Sequence, residues 1–288
     1  MIKKINKIIK LLKNNKLSDI LFSFLKISLR KKGFFIEKIT SEKKIKDVIA
    51  NIRKNYIGVN LIRIGENRDG GYLVPDCMQS IKYCFSLGVD DLVHFEEDLY
   101  KKYGIKSFFA DGSIESIPNL NKNFTFTPKF IGLGEEPNFI SLSDYVNESI
   151  GVEFKDNNVE LLLQMDIEGG EYDVLTSESS DFFSRFSVIV LEFHQLQNFL
   201  LKEPIQMIDG VFNKLFKNFS ICHIHPHNGT GLIKYKDIEI PRSLEISLIR
   251  KDKIEKLKTD DILVPHPLDI TTISNREDFI LPEIWWKK

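Results

Sequence analysis

Leu161-Leu162-Leu163-Gln164-Met165-Asp166-Ile167-Glu168-Gly169-Gly170-Glu171 is an apolar run that ends in three carboxylates and two glycines. It reads as a buried strand, Glu160–Asp166, that turns into a helix, Gly170–Ser177. In open α/β sheets, ligands sit beyond the carboxyl ends of the strands. Asp166 and Glu168 are two apart, so in an extended backbone their side chains face the same way. Glu171 falls in the first helical turn, where a carboxylate complements the helix dipole.

The same alternation runs on both sides of this stretch. Strands are expected at Lys82–Leu87, Ile105–Ala110, Lys129–Leu133, Phe186–Phe193, Ser220–His225 and Leu244–Arg250. Helices are expected at Asp91–Tyr103, Leu142–Val146 and Pro204–Leu215. Strands alternating with helices imply βα units and a mostly parallel sheet of the Rossmann-like kind. The last two of the seven strands lack a clear helix between them, so the sheet is expected to end in an antiparallel hairpin.

The strand after the carboxylates ends similarly, in Leu191-Glu192-Phe193-His194, with Glu192 and His194 on one face. The sixth strand runs into His223-Ile224-His225-Pro226-His227, so four of the six histidines cluster at two strand ends. Carboxylates with imidazole suit a divalent cation of the Mg or Mn type. They equally suit a metal-free acid/base pair with His194 as base. His223 and His227 read as ordinary hydrogen-bonded histidines, His194 and His225 as functional ones.

The first strand of the sheet leads into Ser86-Leu87-Gly88-Val89-Asp90-Asp91. A glycine at that turn lets the backbone come close to a ligand. The next strand ends in Asp111-Gly112-Ser113, with Asp111 23 residues after Gly88. That is where nucleotide-binding α/β folds hold ribose hydroxyls with a carboxylate, although Asp-Gly-Ser is also a turn signal. Gly88, Asp90, Asp111, Gly112 and Ser113 are therefore candidate cofactor contacts. A pyrophosphate needs a loop with two or three glycines, and only one is present, which favours S-adenosylmethionine over NAD. Upstream, Arg63 to Tyr72 packs charge, glycines and an aromatic into ten residues. It reads as a lid whose Arg63 meets the methionine carboxylate, or as a β-hairpin turning at Asp69-Gly70-Gly71.

The 288 residues suit one large domain with an appendage, and 42% apolar content supplies a core. A net charge of −1 gives no global attraction to nucleic acid. The charge is uneven, since Met1–Lys54 carries 16 Lys and Arg against 4 Asp and Glu. Within this basic segment Ile5, Ile8, Ile9 and Leu12 mark one helix. Leu17, Ile20, Leu21, Phe24 and Leu25 mark a second, capped by Ser18-Asp19. Its expected role is a helical appendage packing on the domain or on a second copy of the chain, with an amphipathic membrane-surface helix as the alternative. Residues 1–54 are assigned to this extension, 55–258 to the catalytic domain, and 259–288 to a tail packed on it as ordered coil. Three cysteines with no CxxC pair fit a reducing cytoplasm, and neither a signal peptide nor a membrane span is read.

The sequence resembles the FkbM-type methyltransferases. Their signature is Asp-[Ile/Val]-Glu-Gly-x-Glu after an apolar strand, here Asp166 to Glu171, then Leu-Glu-x-His, here Leu191 to His194. The resemblance covers roughly residues 61–250 and leaves out the basic N-terminal segment. It implies the class I methyltransferase fold, S-adenosylmethionine, and methyl transfer to hydroxyls, often of sugars in natural products or bacterial surface glycans. A further similarity to metal-dependent sugar O-methyltransferases implies Asp166 and Glu192 as metal ligands and Glu168 as base. His225 is the expected third ligand, with His194 as an alternative base and the two histidines interchangeable. The single glycine of the cofactor loop departs from the family pattern. The expected acceptor is a sugar or nucleotide-linked sugar for capsule or lipopolysaccharide. The rival readings are an NAD-dependent oxidoreductase and a non-catalytic module binding glycan or protein.

Overall fold

The structure, a computed structural model, describes residues 17–67, 70–89, 93–135, 137–273 and 275–288. The chain forms two compact units, Met1–Thr40 and Ser41–Lys288. In the first, helix α1 spans Leu17–Arg30 and exposes Leu21, Phe24, Leu25 and Ile27. Ser18 and Asp19, read as its cap, fall inside its first turn. The helix expected around Ile5–Leu12 lies outside the described residues.

The second unit opens with α2, Glu42–Lys54, capped by the Ser41 hydroxyl, which accepts from the Lys44 amide. Its Ile45, Val48, Ile49 and Ile52 are fully buried in the main core. Each such side chain contributes on the order of 1.5–3 kcal/mol by leaving water. The boundary read at residue 54 therefore moves to Thr40/Ser41, because the apolar face of α2 is core rather than appendage. Next come β1 (Leu61–Gly65), β2 (Gly71–Pro75), β3 (Ile81–Leu87), α3 (His94–Tyr103), β4 (Lys106–Ala110), β5 (Thr125–Thr127), β6 (Phe130–Ile131) and β7 (Phe139–Ile140). Then follow α4 (Leu142–Ile150), β8 (Glu160–Met165), α5 (Glu171–Ser177), α6 (Ser180–Phe183), β9 (Phe186–Phe193) and α7 (Lys202–Asn218). The chain continues as β10 (Phe219–Pro226), β11 (Leu232–Tyr235), β12 (Ile238–Pro241) and β13 (Leu244–Arg250).

Seven strands form the main sheet in the order β10-β13-β9-β8-β3-β4-β5. The pairs among β9, β8, β3, β4 and β5 are parallel, and β13 is antiparallel to both its neighbours. The mostly parallel seven-stranded sheet is thus as expected, with two corrections. The third strand is Thr125–Thr127; the run read as Lys129–Leu133 supplies only Phe130–Ile131, paired with Phe139–Ile140 in a separate two-stranded sheet. The C-terminal pair is no simple hairpin, because β11 and β12 intervene and β13 inserts between β9 and β10.

One face of the sheet packs on α2, α4, α5 and α7. The other packs on α3 and the β1–β2 hairpin, through Tyr72, Cys84, Phe95, Leu99 and Leu162. Residues 259–288 lie against the domain largely as coil, anchored by Trp285, which is fully buried and donates its ring N–H to the Glu239 carbonyl. Among the described residues no helix is long and apolar enough to cross a membrane.

Candidate active site

A cavity of about 840 Å³ opens at the carboxyl edge of β3, β4 and β8. Gly88 forms its floor at the end of β3. Its φ is 73°, and a Cβ there would lie 1.8 Å from the Asp166 carbonyl oxygen. The glycine is therefore demanded by the close approach of β8 as well as by the turn. Backbone bonds lock the same corner, from Gly88 to Ala110 and from Asp166 to Leu87.

At the tip of β4, Asp111, Gly112 and Ser113 all line the cavity. Asp111 is buried, and its Oδ1 accepts from both the amide and the hydroxyl of Ser113. Asp111 therefore holds the turn and also stands on the cavity wall. A Cβ on Gly112 would come within 2.4 Å of the Phe130 ring. The bare backbone lets that ring, and Phe139 5.2 Å from it, wall the cavity. Such a cleft, with a carboxylate beside flat apolar walls, fits an adenosine. Asp90 lies outside the described residues. Arg63 does not line the cavity; its Nε and Nη2 both donate to the Glu66 carbonyl, closing the β1–β2 hairpin. The two strands of the expected hairpin form, with Gly65 opposite Gly71, and Gly70 and Tyr72 of the same stretch line the cavity.

The chemical end forms where β8 and β9 run side by side, Met165 opposite Leu191. Asp166, Glu192 and His194 present ligand atoms that all lie within 4.8 Å of one another. His194 Nε2 is 3.4 Å from Glu192 Oε1, 3.4 Å from Glu168 Oε2 and 3.8 Å from Asp166 Oδ1. Asp166 Oδ1 is buried and has no hydrogen-bond partner. Glu192 accepts from the Ser243 hydroxyl. Glu168 is 87% exposed at the mouth, with a left-handed backbone, φ 56°. That conformation costs roughly 1–2 kcal/mol for a residue with a Cβ.

The structure gives Glu171 a larger part than dipole complement. It is wholly buried; its Oε1 accepts from the Ile167 and Gly169 amides and lies 3.1 Å from His194 Nδ1. The bond fixes the ring so that Nε2 faces the other carboxylates. Tyr172 steadies the same loop by donating to the His194 carbonyl. The signal was present in the sequence as the third carboxylate of the motif.

The crowded carboxylates perturb Asp166 and the imidazole. Burial and the Glu192 charge push Asp166 up to about 9, against the pull of His194. Burial lowers His194, but the Glu171 hydrogen bond and the charges of Glu192, Glu171 and Asp166 outweigh it and raise it to about 9. The donor set and the orphaned Asp166 oxygen suit a divalent cation, which would relieve this repulsion.

His225, the histidine expected to complete a metal set, is elsewhere. Strand β13 separates β10 from β9, so His225 sits opposite Glu245, which in turn sits opposite Glu192. Its Nδ1 lies 3.6 Å from Asp269 Oδ2, and His223 Nε2 lies 2.8 Å from Asp269 Oδ1. The tail thus brings the partner for both histidines. Burial lowers His225, while Asp269 outweighs it and raises it; the two histidines hold Asp269 well below the usual carboxylate range despite its burial.

Comparison with known proteins bears on the family. No curated protein matches the chain by sequence. Among solved structures, the Methanococcus jannaschii fibrillarin pre-rRNA processing protein is similar at 11% identity, over 74% of this chain and 87% of that one, with a TM-score of 0.33. A mutant 16S rRNA (adenine(1408)-N(1))-methyltransferase from Catenulisporales acidiphilia is similar at 9% identity, over 67% and 97% respectively, with a TM-score of 0.28. Likeness this distant bears on neither substrate nor mechanism. Residues 47–217, more than half of the chain, match the methyltransferase FkbM domain. The matched span holds the residues that line the cavity, Asp166 among them, and the Glu192–His194 pair. The chain belongs to the FkbM methyltransferase domain family and is a methyltransferase that uses S-adenosylmethionine.

Proposed function

We propose that this enzyme methylates a hydroxyl of a sugar or nucleotide-linked sugar used for a bacterial surface polysaccharide, with a divalent metal assisting. The observation that carries the reading is the convergence of Asp166, Glu192 and His194 beside the cofactor cavity, which Asp166 also lines. An alcohol is a poor acid, so its proton must be removed or its oxygen polarised for attack on a methyl group. S-adenosylmethionine supplies that methyl on an electrophilic sulfonium. A bound Mg or Mn ion would offset the carboxylate charges and polarise the acceptor oxygen.

Asp166, Glu192 and His194 are the residues that would hold the ion, with His194 taking the place expected of His225. A histidine ligand whose second nitrogen meets a carboxylate is oriented and made more basic, and Glu171 does this for His194. Glu168, exposed at the mouth and beside His194 Nε2, is then the group that accepts the proton. Asp111 is assigned to the ribose hydroxyls. Much of the acceleration comes from holding donor and acceptor in line. The sugar and the polysaccharide rest on the resemblance of the two motifs, and a cytoplasmic site of action on the sparse, unpaired cysteines. The basic N-terminal segment lies outside that resemblance; its pattern supports an appendage that packs on the domain or on a second copy, with contact with a membrane surface as the alternative.

The test is turnover on a panel of nucleotide sugars with labelled methyl donor, after exhaustive chelation and then with Mg or Mn restored. Loss and recovery are expected. Full turnover in the chelated enzyme would reject the metal and leave His194 as a metal-free base.

A further inference from the structure

The cavity extends from Asp111 on β4, past Gly88 on β3, to a second end that the motifs did not single out. Tyr72, Phe95, Glu96 and Gln164 line it there, between the sheet, α3 and the β1–β2 hairpin. Glu96 sits in the first turn of α3 and is 2% exposed. Its Oε1 lies 2.5 Å from the Ser86 hydroxyl oxygen, while Oε2 is buried with no hydrogen-bond partner. Ser86 Oγ also lies 2.6 Å from Gln164 Oε1, and Gln164 Nε2 donates to Tyr72 Oη. Ser86 has one proton for two acceptors. A complete chain needs a proton on Glu96, running from Glu96 to Ser86 to Gln164. Burial agrees, raising Glu96 to about 7 against the Ser86 bond.

A neutral acid with an orphaned oxygen at the wall of a ligand cavity is incomplete by itself. A buried carboxylate is stable when paired and costly when not. The orphaned oxygen calls for a donor on the ligand end that faces it, and a cationic donor would let the acid ionise as one half of a pair. Given the methyltransferase reading, with the ribose at Asp111, the part of S-adenosylmethionine that continues past Gly88 is the methionine portion. It carries one ammonium.

We infer that Glu96 is the carboxylate that receives the α-ammonium of the cofactor's methionine moiety, with Ser86 and Gln164 orienting it. In the free protein Glu96 holds a proton. On binding, that proton leaves to solvent, and the ammonium donates to the ionised carboxylate. The inference rests on S-adenosylmethionine being the cofactor.

The experiment is calorimetry on the full chain with two probes, S-adenosylhomocysteine and 5′-methylthioadenosine, which lacks the amino-acid portion. The expected result for Glu96→Gln is about a tenfold to hundredfold weaker Kd for S-adenosylhomocysteine, from loss of a charge-assisted bond, with 5′-methylthioadenosine unchanged. Wild type titrated near pH 6 in buffers of different ionisation enthalpy should release a fraction of a proton with the first probe and none with the second. That second readout does not depend on the folding of the variant. Equal affinity of wild type and Glu96→Gln for S-adenosylhomocysteine, or absence of proton release, overturns the assignment of Glu96 while leaving the cofactor in place. Failure of wild type to bind either probe overturns the cofactor reading and this inference with it.

Discussion

His194 Nδ1 and Glu171 Oε1 lie 3.1 Å apart, and the glutamate of that pair is wholly buried. The same oxygen holds the Ile167 and Gly169 amides, so one carboxylate fixes both the loop after β8 and the histidine after β9. The loop and the imidazole are thus held by a single oxygen. The proposed role of His194 as a ligand or base depends on that coupling.

Glu171→Gln keeps the size of the side chain but removes its charge. Its amide can still accept from one loop N–H. The expected outcome is about a tenfold to hundredfold loss of metal affinity or turnover, the usual effect of removing an orienting partner. Cofactor affinity should hold within a few fold. Steady-state kinetics with parallel cofactor calorimetry reads both; wild-type turnover in the variant would strip Glu171 of its orienting role.

Asp111→Ala removes the carboxylate assigned to the ribose hydroxyls. Losing hydrogen bonds to a charged group costs about 1.5–3 kcal/mol, which is roughly ten- to a hundredfold in Kd. Because Oδ1 also holds Ser113, Asp111→Asn, which keeps an acceptor for the turn, is the companion variant. A Kd unchanged in both folded variants would return Asp111 to the turn alone.

Glu96 also sets a pH dependence of stability. Burial, with a smaller push from the Glu97 charge, raises its folded value to about 7 against an ordinary 4.5. The fold therefore binds this proton more tightly than the unfolded chain does. The stabilisation from the protonated form is complete below pH 4.5, and it is lost as pH rises through 7. The difference is up to about 3 kcal/mol. Glu96→Gln should accordingly melt above wild type at about pH 8, with the gap closing towards about pH 5. An identical pH profile for the two proteins contradicts the buried, protonated glutamate.

Much of this site was legible because β8 and β9 are apolar runs with abrupt polar ends. Runs of that kind fix both the strand and its carboxyl tip, and Asp166, Glu168, Glu192 and His194 followed directly. His225 was misplaced for a topological reason. Chain order makes β10 the next strand after β9, yet β13 pairs with β9 and pushes β10 outward. Nothing in the local sequence of Leu244–Arg250 announces that insertion. The Thr125–Thr127 strand was missed because three residues at a sheet edge carry little pattern, while the nearby Phe130 and Ile131 are apolar enough to imitate a strand. Glu96 was hidden inside His94-Phe95-Glu96-Glu97-Asp98, where a buried acid looks like a solvated helix face. Asp269 lies far along the tail, and only the path of that tail joins it to His223 and His225.

The central claim is that Asp166, Glu192 and His194 hold a divalent cation and that His225 does not. Its most direct test is a titration of the metal-stripped full chain with Mn(II), read by the free-ion EPR signal, in wild type, Asp166→Asn and His225→Ala. One site per chain is predicted in wild type, abolished in Asp166→Asn and intact in folded His225→Ala. Binding that survives Asp166→Asn, or that disappears in folded His225→Ala, would contradict the account.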